Sequence, residues 1–268
     1  MLRIGAVSYL NTRPLVYRLR ERLGPAGTLG FNLPSRLADG LADGSLDVAL
    51  IPSVEYFRGL HRGYEIVSDA AIACRGPVWS VRLLSRVPIG EIETLALDVG
   101  SRTSAAMVQV LLKKVHGISP QTIPLAMEQS PEAVAADAVL MIGDRAMHPT
   151  AGVYHEIIDL GQWWNELTGL PFVFAMWVAR PGVDRERLAP LLQQSRDDGV
   201  AAIDQIAQRE AGPHGLTVVD LQRYFTHHLH FFLGPDEWLA LDTYRADLCA
   251  TGLLSEEGVT APVREPTS

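Results

Sequence analysis

The chain has few of the features that most simply identify a protein. Its 268 residues include only two cysteines, Cys74 and Cys249, with no CxxC pair, which excludes a disulfide scaffold and a cysteine-rich zinc site. No window approaches 18 uninterrupted apolar residues, so no membrane-spanning helix is expected. A basic surface is also lacking: Lys and Arg total 23 against 31 Asp and Glu, for a formal charge of -8 and a pI near 5.5. Duplex nucleic acid calls for a basic face, and no Lys/Arg cluster stands out. An anionic small molecule stays open as a ligand, because a few local donors outweigh net charge at short range. Neither G-x-x-x-x-G-K-[ST] nor G-x-G-x-x-G after a strand occurs, so nucleotides are not implied. The N-terminus enters a strand-like run at once (LRIGAV), without the basic start and apolar stretch of a leader. These absences together lead us to expect a soluble protein of a reducing compartment, the cytoplasm.

What is present is 47% hydrophobic residues over a length that can bury a large core, as one large domain or two smaller ones. Pro and Gly total 40 but are scattered, and disorder is expected only in the final stretch GVTAPVREPTS. Short apolar runs alternate with helical patterns: LRIGAV with PLVYRLRERL, SRLADGLADG with LDVALIP, TLALDV with TSAAMVQVLLKKVHG, AVLMI with DRAMHP. Such alternation predicts α/β layers with a largely parallel sheet. The best-defined helix runs from Ser104 to about His116, with Met107, Val110, Leu111 and Val115 near helical spacing and Gly117 as its stop. LADGLADG reads as a helix ending at Gly40 or Gly44. PVWSVRLLSR (77–86) and PFVFAMWVAR (171–180) read as strands crossing to and from a second lobe. Residues 1–76 and 178–268 are therefore expected to form one lobe and 77–177 the other, with a cleft between. The helical region after Arg180 reads as packing on the first lobe.

Three elbows share a design. Strand LRIGAV is followed by SYLNT and a helix expected from Pro14, whose missing N–H suits a first helical turn. Strand TLALDV is followed by GSRTS, where Ser101, Thr103 and Ser104 supply hydroxyls. Strand AVLMI is followed by Gly143 and Asp144. Each sets free backbone N–H groups and small polar side chains at the C-terminal end of a strand. Ligands of open α/β sheets bind there, and helix N-termini favour anions. Ordinary N-capping accounts for any one elbow; three in one chain weaken that account.

Other candidates are weighed down by commoner roles. His227, His228 and His230 in THHLH diverge on a helix, no carboxylate falls at ligand spacing, and Phe231 and Phe232 suggest core packing, so no metal is expected. Glu55 is either an acid–base group or a paired carboxylate, and pairing is the commoner role. Asp144 is a cap or a substrate contact. Trp163 and Trp164 read as half core, half cleft lining, and Arg13 and Arg102 stand beside elbows where an anion would bind.

Taken together, SYLNTRPL (8–15), DVALIPSVEY (47–56), GSRTSAAMVQVLL (100–112), MIGDRA (141–146) and LGQWWNELTGLPFVFAMW (160–177) resemble the MqnA/MqnD family of the futalosine menaquinone pathway, on its chorismate dehydratase side. The likeness runs from residue 2 to about 180 and is weaker in the helical tail. SYLNTRPL with TGLPFVFA is its specific part. The implied fold is that of type II periplasmic binding proteins, two α/β lobes around a cleft, in agreement with the pattern above.

The implied reaction removes water from chorismate to give 3-[(1-carboxyvinyl)oxy]benzoate, without a cofactor. On that resemblance the GSRTS elbow holds one carboxylate through Ser101, Thr103, Ser104 and backbone amides. Ser8 and Tyr9 contact the substrate, and Pro52, Ser53 and Ser80 line the hinge side. Gly143 and Asp144 close from the second lobe, and Asn11 meets the ring hydroxyl or positions the reacting edge as the catalytic residue. Asn is no general base at neutral pH, so the enolpyruvyl carboxylate of the substrate is the expected proton acceptor. Two other readings compete: a non-catalytic receptor for an anionic metabolite using the same fold, and the sister enzyme making 1,4-dihydroxy-6-naphthoate. The sister family carries a PDTDT-like stretch where SYLNT stands here, and a catalytic His that none of His116, His148 and His155 matches. A homodimer is left open; no nucleic-acid or membrane partner is expected.

Overall fold

Two mixed β-sheets organise the computed structural model, which describes residues 1–148 and 152–255. The expected disordered tail, 258–268, lies outside the described residues. The strands are β1 Leu2–Val7, β2 Gly27–Asn32, β3 Val48–Pro52, β4 Glu65–Cys74, β5 Val81–Ser85, β6 Thr94–Asp98, β7 Gln121–Leu125, β8 Ala138–Ile142, β9 Glu156–Asp159, β10 Phe172–Ala179 and β11 His230–Phe232. The first sheet has the order β11-β4-β10-β3-β1-β2 and the second β7-β6-β8-β5-β9. Strands β3, β8 and β10 are buried throughout, which is why they read as uninterrupted apolar runs rather than alternating ones.

The expectation of a largely parallel sheet holds only for β1 with β2 and β3, and for β6 with β7 and β8. The crossing segments are antiparallel: β10 pairs with β3 and β4, and β5 with β8 and β9. A chain that leaves the first sheet along β4 and returns beside it must run the other way. The expected lobe boundary at 177 falls inside β10, whose register with β4 extends from Phe172 to Ala179. That whole strand sits in the first sheet. Nothing in FVFAMWVA distinguishes residue 177 as a boundary, because the strand is equally apolar on both sides of it.

Nine α-helices cover the sheets among the described residues: α1 Leu19–Leu23, α2 Pro34–Asp43, α3 Ser53–Gly59, α4 Thr103–His116, α5 Leu160–Thr168, α6 Arg185–Ala201, α7 Ile203–Glu210, α8 Val218–Arg223 and α9 Pro235–Ala250. None is long and apolar enough to cross a membrane. In α4, Met107, Val110 and Leu111 are buried as their spacing predicts, whereas Val115 is 43% exposed, so the apolar stripe stops a turn early. Helix α2 runs through Gly40 and ends at Gly44.

The helix expected from Pro14 is replaced by two 3₁₀ turns, Leu10–Thr12 and Pro14–Val16. Helix α6 packs directly on this segment, so closely that a Cβ at Gly199 would overlap the Pro14 carbonyl. The tail does pack on the first lobe through α6, but α9 also reaches the second lobe. There Tyr244 donates to the Thr103 carbonyl (2.9 Å) and Asp247 pairs with Lys114 (2.7 Å).

Candidate active site

The three elbows converge on one cleft between the lobes, with about 520 Å³ of empty space when its open mouth is included. From the first lobe it is lined by Tyr9 and Asn11 after β1 and by Pro52 at the end of β3, and Ser80 comes from the linker into β5. The second lobe contributes Ser101, Thr103 and Ser104 at the start of α4 and Gly143 after β8. Apolar walls come from Ile72, Ile142 and Phe174. Three expected residues stand outside this lining. Ser8 is tied through its backbone N–H to the Asn32 carbonyl (3.0 Å). Ser53 is fully buried, its hydroxyl donating to the Val173 carbonyl (2.9 Å). Asp144 faces the first lobe instead of the cavity, as described below.

The residues just before the first turns of the elbows, Tyr9, Arg102 and Gly143, make no side-chain capping bond of their own; the caps come from the opposite lobe, Asp144 accepting from Leu10 N–H and Thr103 from Val54 N–H. The backbone N–H groups of the first turn of α4 have no intrahelical partners, and the positive end of this 14-residue helix faces the cavity. Asp98, buried at the end of β6, ties the two second-lobe elbows together: one oxygen accepts from Gly100 N–H (2.9 Å), the other from Arg145 (2.5 Å). Burial pushes the Asp98 carboxyl above its ordinary pKa, with the Arg145 charge opposing.

The lobes meet over the cleft. Asp144 accepts from the Leu10 backbone N–H (3.0 Å), and Ser35 N–H reaches the Gly100 carbonyl (3.3 Å). The Thr103 hydroxyl lies 3.3 Å from both Ser53 Oγ and Val54 N. Arg102 spans to Glu55 (3.0 Å) and Asp39 (2.5 Å). Its guanidinium is thus committed between the lobes, and Glu55, also paired with Arg58 (2.7 Å), is a paired carboxylate. Arg13 is held by Glu210 (3.2 Å). Gly143 adopts φ +69 against Tyr9, where a Cβ would lie 2.8 Å from a ring carbon. Burial, then Asp98 and Asp144, pushes the Tyr9 phenol well above its usual pKa.

Trp163 and Trp164 do not line the cleft: Trp164 is wholly buried with its N–H on the Pro171 carbonyl, and Trp163 packs on His116. The histidines of THHLH separate, though not on one helix as expected: His227 and His228 end the turn Tyr224–His228, and His230 opens strand β11. His228 Nδ1 lies 3.0 Å from the Pro77 carbonyl, and His230 Nε2 is 3.6 Å from the buried Glu237.

Two groups escaped the sequence reading. Tyr224, fully buried, donates its hydroxyl proton to Ser80 Oγ at 2.8 Å. His214 Nε2 stands 3.7 Å from Asp144. Both lie in the helical tail, with no motif around them, and only the fold brings them near. The linker carrying Ser80 bends sharply at Trp79, whose φ of +64 is a genuine outlier for a bulky residue. The bend is held by Asp159, which accepts from the N–H groups of Val78 (2.9 Å) and Trp79 (2.6 Å).

A family model described as menaquinone biosynthesis matches residues 2–249. The chain is 30% identical to the chorismate dehydratase of Thermus thermophilus over 256 residues, covering 87% of this chain and 90% of that protein. It is 25% identical to the chorismate dehydratase of Campylobacter jejuni over 246 residues, 90% of this chain and 94% of the other. Among solved structures, the periplasmic aliphatic sulphonate-binding protein of Escherichia coli superposes with a TM-score of 0.65 at 14% identity, over 100% of this chain and 92% of that one. That likeness establishes the two-lobed periplasmic-binding-protein fold alone. The chain itself belongs to the menaquinone-biosynthesis family.

Proposed function

We propose that the protein is a chorismate dehydratase, a hydro-lyase that eliminates water from chorismate to give 3-[(1-carboxyvinyl)oxy]benzoate. The observation that carries the mechanism is the chemistry of the cleft. Among the described residues lining it, Tyr9 and Arg102 are the only titratable ones. Arg102 is engaged by carboxylates, and burial keeps the Tyr9 phenol protonated. Such a site binds and orients but holds no general base. Chorismate needs none from the protein, because its enolpyruvyl carboxylate can take the ring proton.

In this reading the amides and hydroxyls at the start of α4, from Ser101, Thr103 and Ser104, receive one carboxylate. Asn11 and Ser80 meet the reacting edge. The ring C–H pair becomes the new ring double bond and the C–O bond breaks. The departing oxygen leaves as water with the proton taken from carbon, and aromaticity supplies the driving force. Holding reactants in a near-attack geometry is worth about 7–11 kcal/mol, and closure of the lobes by Asp144, Gly143 and Arg102 supports that role. The two free cysteines accord with a cytoplasmic setting.

The test is to mix the purified protein with chorismate and follow products by chromatography and mass. Rapid loss of water to the carboxyvinyloxy-benzoate is expected. Tight binding without turnover would favour a receptor, and neither binding nor turnover would contradict the reading.

A further inference from the structure

We propose that Tyr224 is a positioning residue for this dehydration, holding the Ser80 hydroxyl so that its own proton points into the cleft at the departing ring oxygen. The inference rests on the chorismate dehydratase reading. Tyr224 itself does not line the cleft. Its O–H is given to Ser80 Oγ at 2.8 Å, so the serine oxygen is already an acceptor there. The proton of Ser80 must then be directed elsewhere. The protein acceptor within reach, among the described residues, is the Val78 carbonyl at 3.5 Å, the outer limit of a hydrogen bond. The remaining direction is the cavity, where a leaving oxygen gathers negative charge.

Asn11 lies beside the same phenol and acts on it against the upward push of burial. Its amide oxygen accepts from the Thr12 hydroxyl (3.3 Å), which leaves the amide N–H groups free to turn to the phenol oxygen or the cleft. Ser80 gives a hydrogen bond only and no net proton, since the proton that completes water comes from the ring carbon.

Two irregular pieces of backbone meet at this bond. Trp79, with φ +64, stacks edge-on against Tyr224 (5.7 Å, 78°). Tyr224 opens a π-turn, Tyr224–His228, anchored by His228 on the Pro77 carbonyl. Isolated π-turns and left-handed non-glycine residues gather at functional sites. A buried phenol finding any convenient partner is the ordinary alternative, and it predicts a loss of stability without a specific loss of rate.

The experiment compares Tyr224→Phe, Ser80→Ala and the double variant with wild type on chorismate, with melting temperatures alongside. Phe keeps the ring and its Trp79 contact. The expected result is a kcat lower by about 10–100-fold, the range for removing an outer-shell partner, with KM little changed and no further loss when Tyr224→Phe is added to Ser80→Ala. Site-specific fluorotyrosine at 224, which keeps the hydrogen bond, is expected to retain the rate. Full rate in Tyr224→Phe, a loss additive to that of Ser80→Ala, or a fluorotyrosine variant as slow as Phe would each overturn the inference while wild-type turnover stands. Absence of turnover in wild type would overturn the functional reading, and the inference with it.

Discussion

Asp144, at the start of the turn after β8, accepts a hydrogen bond from the Leu10 backbone N–H in the opposite lobe at 3.0 Å. It closes the cleft from outside the cavity. Asp144→Ala should therefore act on binding, raising KM for chorismate by about 10-fold or more, the worth of one hydrogen bond to a charged group, while the melting temperature changes little. An unchanged KM in steady-state kinetics would show that the contact does not govern closure.

The same residue has a pH signature. Burial raises the Asp144 carboxyl above its ordinary pKa of 3.8, against the opposing pull of the Leu10 N–H and His214. An acid with a raised folded pKa binds its proton more tightly folded than unfolded. Its stabilising contribution is present below the unfolded pKa and is lost as pH rises through the folded one. Relative to Asp144→Asn, wild type should gain melting temperature on going from neutral pH to pH 4. A difference that is flat or moves the other way contradicts this environment.

Gly143→Ala tests the lobe contact by sterics. Its φ of +69 disfavours any side chain, and the new methyl would lie 2.8 Å from the Tyr9 ring. We expect a stability loss of about 1–3 kcal/mol and a fall in kcat/KM of about 100-fold, as for a misplacement of about 1 Å. Chemical denaturation and turnover measure the two effects separately.

Arg102→Ala should report on the charge clamp between the lobes, at a residue that also lines the cleft. Its guanidinium is partly exposed and shared between Glu55 and Asp39. The change should cost about 1 kcal/mol, less at high salt. A stability cost that ignores salt would contradict the clamp.

The two thiols should differ in the native protein. Cys74 is wholly buried and its pKa is pushed up by burial, whereas Cys249 is partly exposed. A thiolate reagent followed by mass should add one label, at Cys249, and a second only after unfolding. Native labelling of Cys74 would contradict its burial.

Much of this architecture was legible because local signals and global position agree. The runs that became β3 and β8 are buried on both faces and so are apolar throughout, and Met107, Val110 and Leu111 mark the buried side of α4. The elbow residues were legible as chemistry, since Ser, Thr, Asn and Gly stand where strands end. Direction was not: SVEY and GDRA do not reveal that Ser53 turns to Val173 within the first sheet or Asp144 to Leu10 across the lobe interface, because both partners are more than 100 residues away in sequence. The edge of the second lobe was hidden by the uniform apolarity of β10. Tyr224 was invisible because its partner, Ser80, lies 144 residues away.

The most direct test of the site is a crystal structure of Asn11→Ala with chorismate. The account predicts one carboxylate on the amides and hydroxyls of Ser101, Thr103 and Ser104, the ring hydroxyl beside Ser80, and the enolpyruvyl carboxylate turned toward the ring proton. A complex with that carboxylate pointing away from the proton, or with chorismate outside this cleft, would contradict it.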